Sequence, residues 1–197
     1  MQSYILKESC KIIEKLGIEY WLCNGTLLGL IRDHKLIPWD VDLDIGILSI
    51  NYSENIIEEF LRVGYQLVDN GKGSSYRTLQ KNQIKVDINI FDFQNHELVS
   101  LWRVSKINGF FGVVCKFMEK FQIKIPNLKI LWTLEGYSVV YKDIYPLKKL
   151  YFDGFYYSTP GCPEKVLEHI YGANWRIPIQ NFNWRTHGAS NRRGELA

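Results

Sequence analysis

Between Pro38 and Gly46 the chain reads Pro-Trp-Asp-Val-Asp-Leu-Asp-Ile-Gly, alternating acidic and apolar side chains. Period-two alternation predicts a β-strand with Asp40, Asp42 and Asp44 on one face and Val41, Leu43 and Ile45 on the other. The apolar face is expected to enter a core. The acidic face then holds three carboxylates within about 13 Å, at a rise of roughly 3.3 Å per residue. Such a cluster is costly unless cations neutralise it, and carboxylates prefer hard ions such as Mg²⁺ or Mn²⁺. A second alternating run, Ile84 to Phe91, turns Ile84, Val86, Ile88 and Ile90 one way and Lys85, Asp87 and Asn89 the other. If the two strands are neighbours, about 4.8 Å apart, Asp87 joins Asp42 and Asp44. Those three carboxylates suit a pair of metal ions about 3.5–4 Å apart, as phosphoryl-type transfer uses, and Asp87 is placed to accept a proton from an attacking hydroxyl. A solvated acidic strand edge or a structural calcium site would also account for an isolated Asp-x-Asp.

The surroundings favour the catalytic reading. Asn24-Gly25-Thr26-Leu27-Leu28-Gly29 precedes the acidic run, between an apolar segment (18–23) and an amphipathic one (26–32). This predicts strand, turn, helix. Gly25 allows close backbone approach, and Thr26 offers a hydroxyl beside free helix N–H groups, an arrangement suited to an anion.

Elsewhere the pattern predicts helices over 3–16, 53–62 (capped by Ser53) and 163–171. Strands are expected at 41–47, 65–69, 76–80 and 84–91, and a hairpin over 150–160 turning at Asp153-Gly154. The wide apolar face of 97–121 suggests one or two helices, and 127–142 another. Trp102–Phe121 mixes apolar and basic residues and would suit peripheral membrane contact, although a helix covering the sheet is the favoured reading. The fold class expected is α+β, a mixed sheet flanked by helices with a mainly helical C-terminal half. One domain spans 1–186, with a core at 18–95 and an extension at 96–186. Residues 187–197, almost without apolar content, are expected to be a flexible tail.

Composition narrows the function. The 197 residues are 46% hydrophobic, which excludes a disordered chain, and a net charge of +3 does not point to nucleic acid. Cys10, Cys23, Cys115 and Cys162 lack zinc-ligand spacing and read as free thiols of a reducing compartment. No segment reads as a signal peptide or a membrane span, so a cytoplasmic location, or one at the inner face of the membrane, is expected.

With these features together, the chain resembles the LicD/fukutin family. The resemblance rests on Gly25-Thr26-Leu27-Leu28-Gly29, Ile31-Arg32 and Ile37-Pro38-Trp39-Asp40-x-Asp42-x-Asp44-Ile45-Gly46. It extends to Val86-Asp87-Ile88, Phe152-x-Gly154 and Tyr171-Gly172-x-Asn174-Trp175-x-Ile177-Pro178. It implies a nucleotidyltransferase-like fold and transfer of phosphocholine, ribitol phosphate or glycerol phosphate from a CDP-activated donor to a glycan or lipid-linked glycan acceptor. By the same resemblance Asp42 and Asp44 are the metal-binding pair, Asp87 the third acid, and Gly25 and Thr26 the phosphate-side turn. Many relatives carry a further Asp where this chain has Val41, a residue expected to face the core.

Other candidates carry two readings each. Arg32 is a phosphate ligand or a helix-end cation; His34 reads as a loop residue. Arg77 and Lys85 flank the Asp87 strand and either balance phosphate charge or face solvent. Trp39 and Trp175 can stack on a base or sugar, while Trp39 also suits a packing role. Arg176 is a weaker candidate for the pocket. Two other functions remain open: a nucleotidyltransferase moving an NMP from an NTP to a small molecule, and a non-catalytic nucleotide-binding protein on the same fold.

Overall fold

The computed structural model of the chain describes residues 1–69, 75–105, 132–180 and 191–195. The order is α1 (Gln2–Lys15), β1 (Trp21–Leu22), α2 (Asn24–Arg32), β2 (Asp42–Leu48), a 3-10 turn (Ser49–Asn51) and α3 (Asn55–Arg62). Then come β3 (Gln66–Asp69), β4 (Tyr76–Lys81), β5 (Ile84–Gln94), β6 (Glu97–Ser105), β7 (Trp132–Val140) and the one-turn α4 (Tyr141–Ile144). The last described elements are β8 (Lys148–Phe152), β9 (Phe155–Thr159), α5 (Pro163–Tyr171) and β10 (Asn191–Glu195).

The long strand β5 organises the sheet. It runs parallel to β2 on one side, antiparallel to β4, and at its end antiparallel to β6, which continues into β7 and β10. Alternation decides what each face does. Leu43, Ile45 and Ile47 of β2 and Val86, Ile88 and Ile90 of β5 are buried in a core they share with Ile5, Leu6 and Ile13 of α1 and Ile56 and Phe60 of α3. Each such side chain contributes about 1.5–3 kcal/mol relative to exposure, enough to fix the register of both strands. On the opposite face, Asp42 pairs with Lys85, Asp44 with Asp87, Gly46 with Asn89 and Leu48 with Phe91. That face therefore grades from carboxylates at the strand starts to an aromatic floor, where Trp21 lies 5.2 Å from Phe91 between ring centroids. Helix α2 packs on β2, and α5 packs on α2 and β7.

The mixed α+β architecture agrees with expectation; several elements differ. The segments 97–105 and 132–140 are strands β6 and β7, paired along their whole length. The helices expected over 97–121 and 127–142 are therefore replaced in the described part by sheet, and among the described residues the C-terminal half holds more strand than helix. The remainder of 97–121, with its expected membrane contact, lies outside the described residues, as does Cys115. Residues 191–195, within the expected flexible tail, form β10 along the edge of β7. The sheet crosses the boundary expected near residue 95. Helix α3 starts at Asn55, and its N-cap Glu54 makes no side-chain cap, so Ser53 is not the cap. Val41 precedes β2 and is 59% exposed, not turned into the core. Strand pairing begins only at Asp42, so the burial that would orient Val41 inward has not started.

The hairpin of β8 and β9 turns at Asp153 and Gly154, both at positive φ, and α5 spans Pro163–Tyr171 with its proline in the first turn. Among the described residues no helix is long and apolar enough to cross a membrane.

Candidate active site

A cavity of about 740 Å³ opens over the acidic end of β2 and β5. Its wall includes Gly25, Arg32, Trp39, Asp40, Asp44, Lys85 and Asp87. The direct register of Asp44 with Asp87 sets two carboxylates side by side on adjacent strands. Asp42 stands two residues before Asp44 on the same face, and Asp40 precedes it in the approach to the strand.

Two glycines make this convergence possible. A Cβ on Gly25 would stand 2.4 Å from Asp40 Oδ2 and 3.6 Å from Asp44 Oδ2. One on Gly29 would stand 2.7 Å from the Lys35 carbonyl oxygen. The segment 33–40 can therefore fold back across α2 and deliver Asp40 to the helix N-terminus. Gln2 Nε2 holds this return by donating to the Asp40 carbonyl at 2.5 Å.

The helix N-terminus already has an anion. The Gly25 N–H donates to Asp44 Oδ2 at 3.2 Å, and the Asn24 and Asn89 amides each donate to Asp44 Oδ1 at 3.3 Å. The Thr26 hydroxyl accepts the Asp44 backbone N–H at 2.8 Å. Thr26 is buried and joins α2 to β2; it is not among the cavity-lining residues.

Electrostatics mark the cluster as short of positive charge. Burial, then the charges of Asp87, Asp42 and Asp40, push the Asp44 carboxyl well above its ordinary range, against the Asn24 hydrogen bond. Burial and then Asp42, as hydrogen-bond partner and charge, raise Asp40. Asp87 is pushed up to about 6, chiefly by burial; the 2.5 Å hydrogen bond from the Thr78 hydroxyl to Oδ1 opposes this, while Asp42 adds to it. Carboxylates in such a state are stabilised by a hard divalent cation. Among the described residues, no three His, Cys, Asp or Glu side chains are already gathered as a metal cage. The β2–β5 spacing of about 4.8 Å nevertheless keeps Asp44 and Asp87 within side-chain reach of one ion.

The remaining candidates divide. Arg32 is no surface cation: its side chain is only 7% exposed and holds both Asp33 oxygens, Nε at 2.9 Å and Nη2 at 2.7 Å, while lining the cavity. The fork lowers the Asp33 pKa. Lys85 is exposed at the cavity beside Asp42. Trp39 is 48% exposed on the cavity wall, whereas Trp175 is buried there. His34 is exposed and does not line the cavity. Arg77 lies over the Tyr52 ring at 5.1 Å, and Arg176 stacks on Trp175 at 4.1 Å; neither lines the cavity. Sequence reasoning did not single out Asn24, Thr78, Asn89 or Tyr137 as site residues. Asn89 carried a signal, two residues beyond Asp87 on the same strand face. Thr78 and Tyr137 arrive only through the register of β4 and the placement of β7.

A family model described as LicD/FKTN/FKRP, nucleotidyltransferase domain, matches residues 17–162. The chain belongs to this family. The matched span contains Asp40, Asp42, Asp44 and Asp87 and stops just before α5, which adds Ile170 and Tyr171 to the cavity wall. Family relatives include Ribitol-5-phosphate transferase FKTN of Mus musculus, 30% identical over 186 residues, 92% of this chain and 34% of that protein. The Homo sapiens protein of the same name is 29% identical over 188 residues, with the same coverage. The chain thus spans about a third of the length of these relatives. A crystal structure of ANT(2")-Ia in complex with adenylyl-2"-tobramycin is similar over 49% of this chain and 53% of that one, with TM-score 0.40 and 9% identity.

Proposed function

We propose that this chain transfers a phospho-alcohol from a CDP-activated donor to a hydroxyl of a cell-surface glycan or its precursor, releasing CMP. Ribitol phosphate, carried in the name of the FKTN relatives, is the first candidate; phosphocholine and glycerol phosphate are the others. The observation that carries the reading is the pairing of Asp44 with Asp87 across parallel strands, with Asp40 beside them at the wall of a cavity of about 740 Å³; Asp42, two residues before Asp44, does not itself line it.

The carboxylate set suits Mg²⁺ or Mn²⁺, held by Asp42, Asp44 and Asp87. Bound there, the ion would neutralise the donor phosphate oxygens and the departing CMP. The protein's own groups account for the rest. The acceptor oxygen attacks the β-phosphorus, which bears the alcohol, and the bond from that phosphorus to the bridging oxygen breaks. CMP leaves with the bridging oxygen and its electron pair. Asp87 receives the acceptor's proton; Thr78 occupies its Oδ1, so Oδ2 takes it. Lys85 and Arg32 are the cationic side chains on the cavity wall among the described residues, suited to the donor diphosphate. Trp39 offers an exposed ring to the base or the sugar.

The test is CMP release from CDP-ribitol, CDP-choline and CDP-glycerol with Mg²⁺ or Mn²⁺. Release from one donor, abolished by chelation and in Asp42→Asn, supports the reading. Pyrophosphate release from an NTP, with no CMP from any CDP-alcohol, would replace it with nucleotidyl transfer.

A further inference from the structure

Four consecutive residues converge on one aspartate. The Cys23 N–H donates to the Asp44 carbonyl at 3.2 Å, and the Thr26 hydroxyl accepts the Asp44 N–H at 2.8 Å. Between them, the Asn24 amide reaches Asp44 Oδ1 and the Gly25 N–H reaches Oδ2. From the neighbouring strand the buried Asn89 amide reaches Oδ1 as well. A carboxylate offers about four lone-pair sites, and three N–H donors occupy most of them. Asp87 is held by one side-chain hydrogen bond, from the Thr78 hydroxyl to Oδ1.

We propose that Asn24 and Asn89 are positioning residues that lock the Asp44 carboxylate in one orientation. The remaining lone pair on Oδ2 is then presented to the cavity, beside the Asp87 Oδ2 that the Thr78 hydrogen bond leaves open. This rests on the reading of Asp44 as part of the transfer site.

The geometry is specific to amides. Both donors are neutral, so they orient Asp44 without cancelling the negative charge a cation would meet; a Lys or Arg there would cancel it. Asn24 sits at φ 44°, in the left-handed region where Asn is favoured among residues with a side chain. That conformation is what aims its side chain back at β2 from the first position of α2. Asn89 divides its amide hydrogens among Asp44 Oδ1, the Asp87 carbonyl at 3.4 Å and Cys23 Sγ at 3.7 Å. It therefore ties the two acidic strands and the α2 entry into one unit. The Cys23-Asn24-Gly25-Thr26 turn, which by sequence suits a ligand anion, serves an internal one.

Two variants of the full chain test this. Asn89→Leu removes the amide and keeps the branched shape of the side chain. Asn24→Gly removes the other amide and keeps positive φ accessible, so it stands if the buried Asn89 substitution fails to fold. In metal-free crystals of either variant, the Asp44 carboxylate is expected in more than one orientation. Mn²⁺ affinity, read by electron paramagnetic resonance, and kcat for CMP release are each expected to fall about 10- to 100-fold, the usual effect of losing a group that orients a metal ligand. KM for the donor should stay at the wild-type value, which a general loss of structure would not allow. A single wild-type orientation of Asp44 with wild-type Mn²⁺ affinity in both variants overturns the proposal. A wild-type protein that binds no Mn²⁺ and releases no CMP refutes the transfer reading instead, and the Asp44 orientations in the crystals still decide the clamp.

Discussion

Asp87→Asn is expected to stabilise the metal-free protein while abolishing its transfer activity. The Asp87 carboxyl is pushed up to about 6, chiefly by burial. In the unfolded chain it ionises near its ordinary value of about 4. Between these two values the native state holds a proton that the unfolded state has released, so stability falls as pH rises from about 4 to about 6 and then levels. At about 1.4 kcal/mol per tenfold difference in proton affinity, the ionised carboxylate costs the native state roughly 3 kcal/mol at neutral pH. Asparagine removes that cost and can still accept the Thr78 hydroxyl hydrogen bond through its Oδ1. For a chain of this length, 3 kcal/mol corresponds to about 6–12 °C in Tm. The assay is thermal or urea unfolding of both proteins in chelator, at about pH 7.5 and about pH 4. The gain should appear at the higher pH and vanish at the lower. Mn²⁺ should then stabilise the wild type more than the variant, because the ion restores what the lone carboxylate costs. A variant no more stable than wild type at neutral pH, or a gain that persists in acid, would refute the electrostatic reasoning.

Three further outcomes follow from the same structure. Gly25→Ala places a methyl group 2.4 Å from Asp40 Oδ2, a side-chain end that can move, so the melting curve should change little while CMP release falls at least about tenfold as the acid is displaced. Lys81→Met removes the partner of Glu8, to which Lys81 Nζ donates at 2.7 and 2.9 Å, and should cost about 1 kcal/mol or less in urea unfolding because both side chains are partly exposed. Burial works to raise the Glu8 pKa, but hydrogen bonds from Lys81, Tyr65 and Tyr4 outweigh it and leave it lowered. The stability Glu8 contributes is present above its ordinary value and is lost as pH falls through the lower folded value, the opposite slope to Asp87, and Glu8→Gln should flatten that acid limb in a pH series of melts.

The strands with one buried face were legible in the sequence. In β2 and β5 one face meets α1 and α3 and the other meets the cavity, so hydropathy alternates and the acids fall on one side. The hairpin at Asp153-Gly154 and helix α5 were legible for local reasons, a turn needing positive φ in the first case and an N-terminal proline in the second. Strands β6 and β7 were not. Leu98, Val99 and Ser100 are buried in succession, and so are Tyr137, Ser138 and Val139, because both faces of these strands are covered there. Without a wet face, the period-two signal disappears and a run of apolar residues reads equally well as helix. Strand β10 gives still less signal, since backbone pairing along β7 asks no apolar pattern of Asn191–Glu195. At the site, the acids were visible because their chemistry is conspicuous. Asn24 and Asn89 were not singled out, because their role depends on a β2–β5 register and an α2 start that bring three separated segments onto Asp44.

The most direct measurement is CMP release from CDP-ribitol, followed as metal is added to the wild type and to Asp44→Asn. Release in the wild type is expected to require Mg²⁺ or Mn²⁺, with none above background in the folded variant at any metal concentration. Turnover by folded Asp44→Asn at the wild-type rate, or release that is indifferent to chelation, would contradict this.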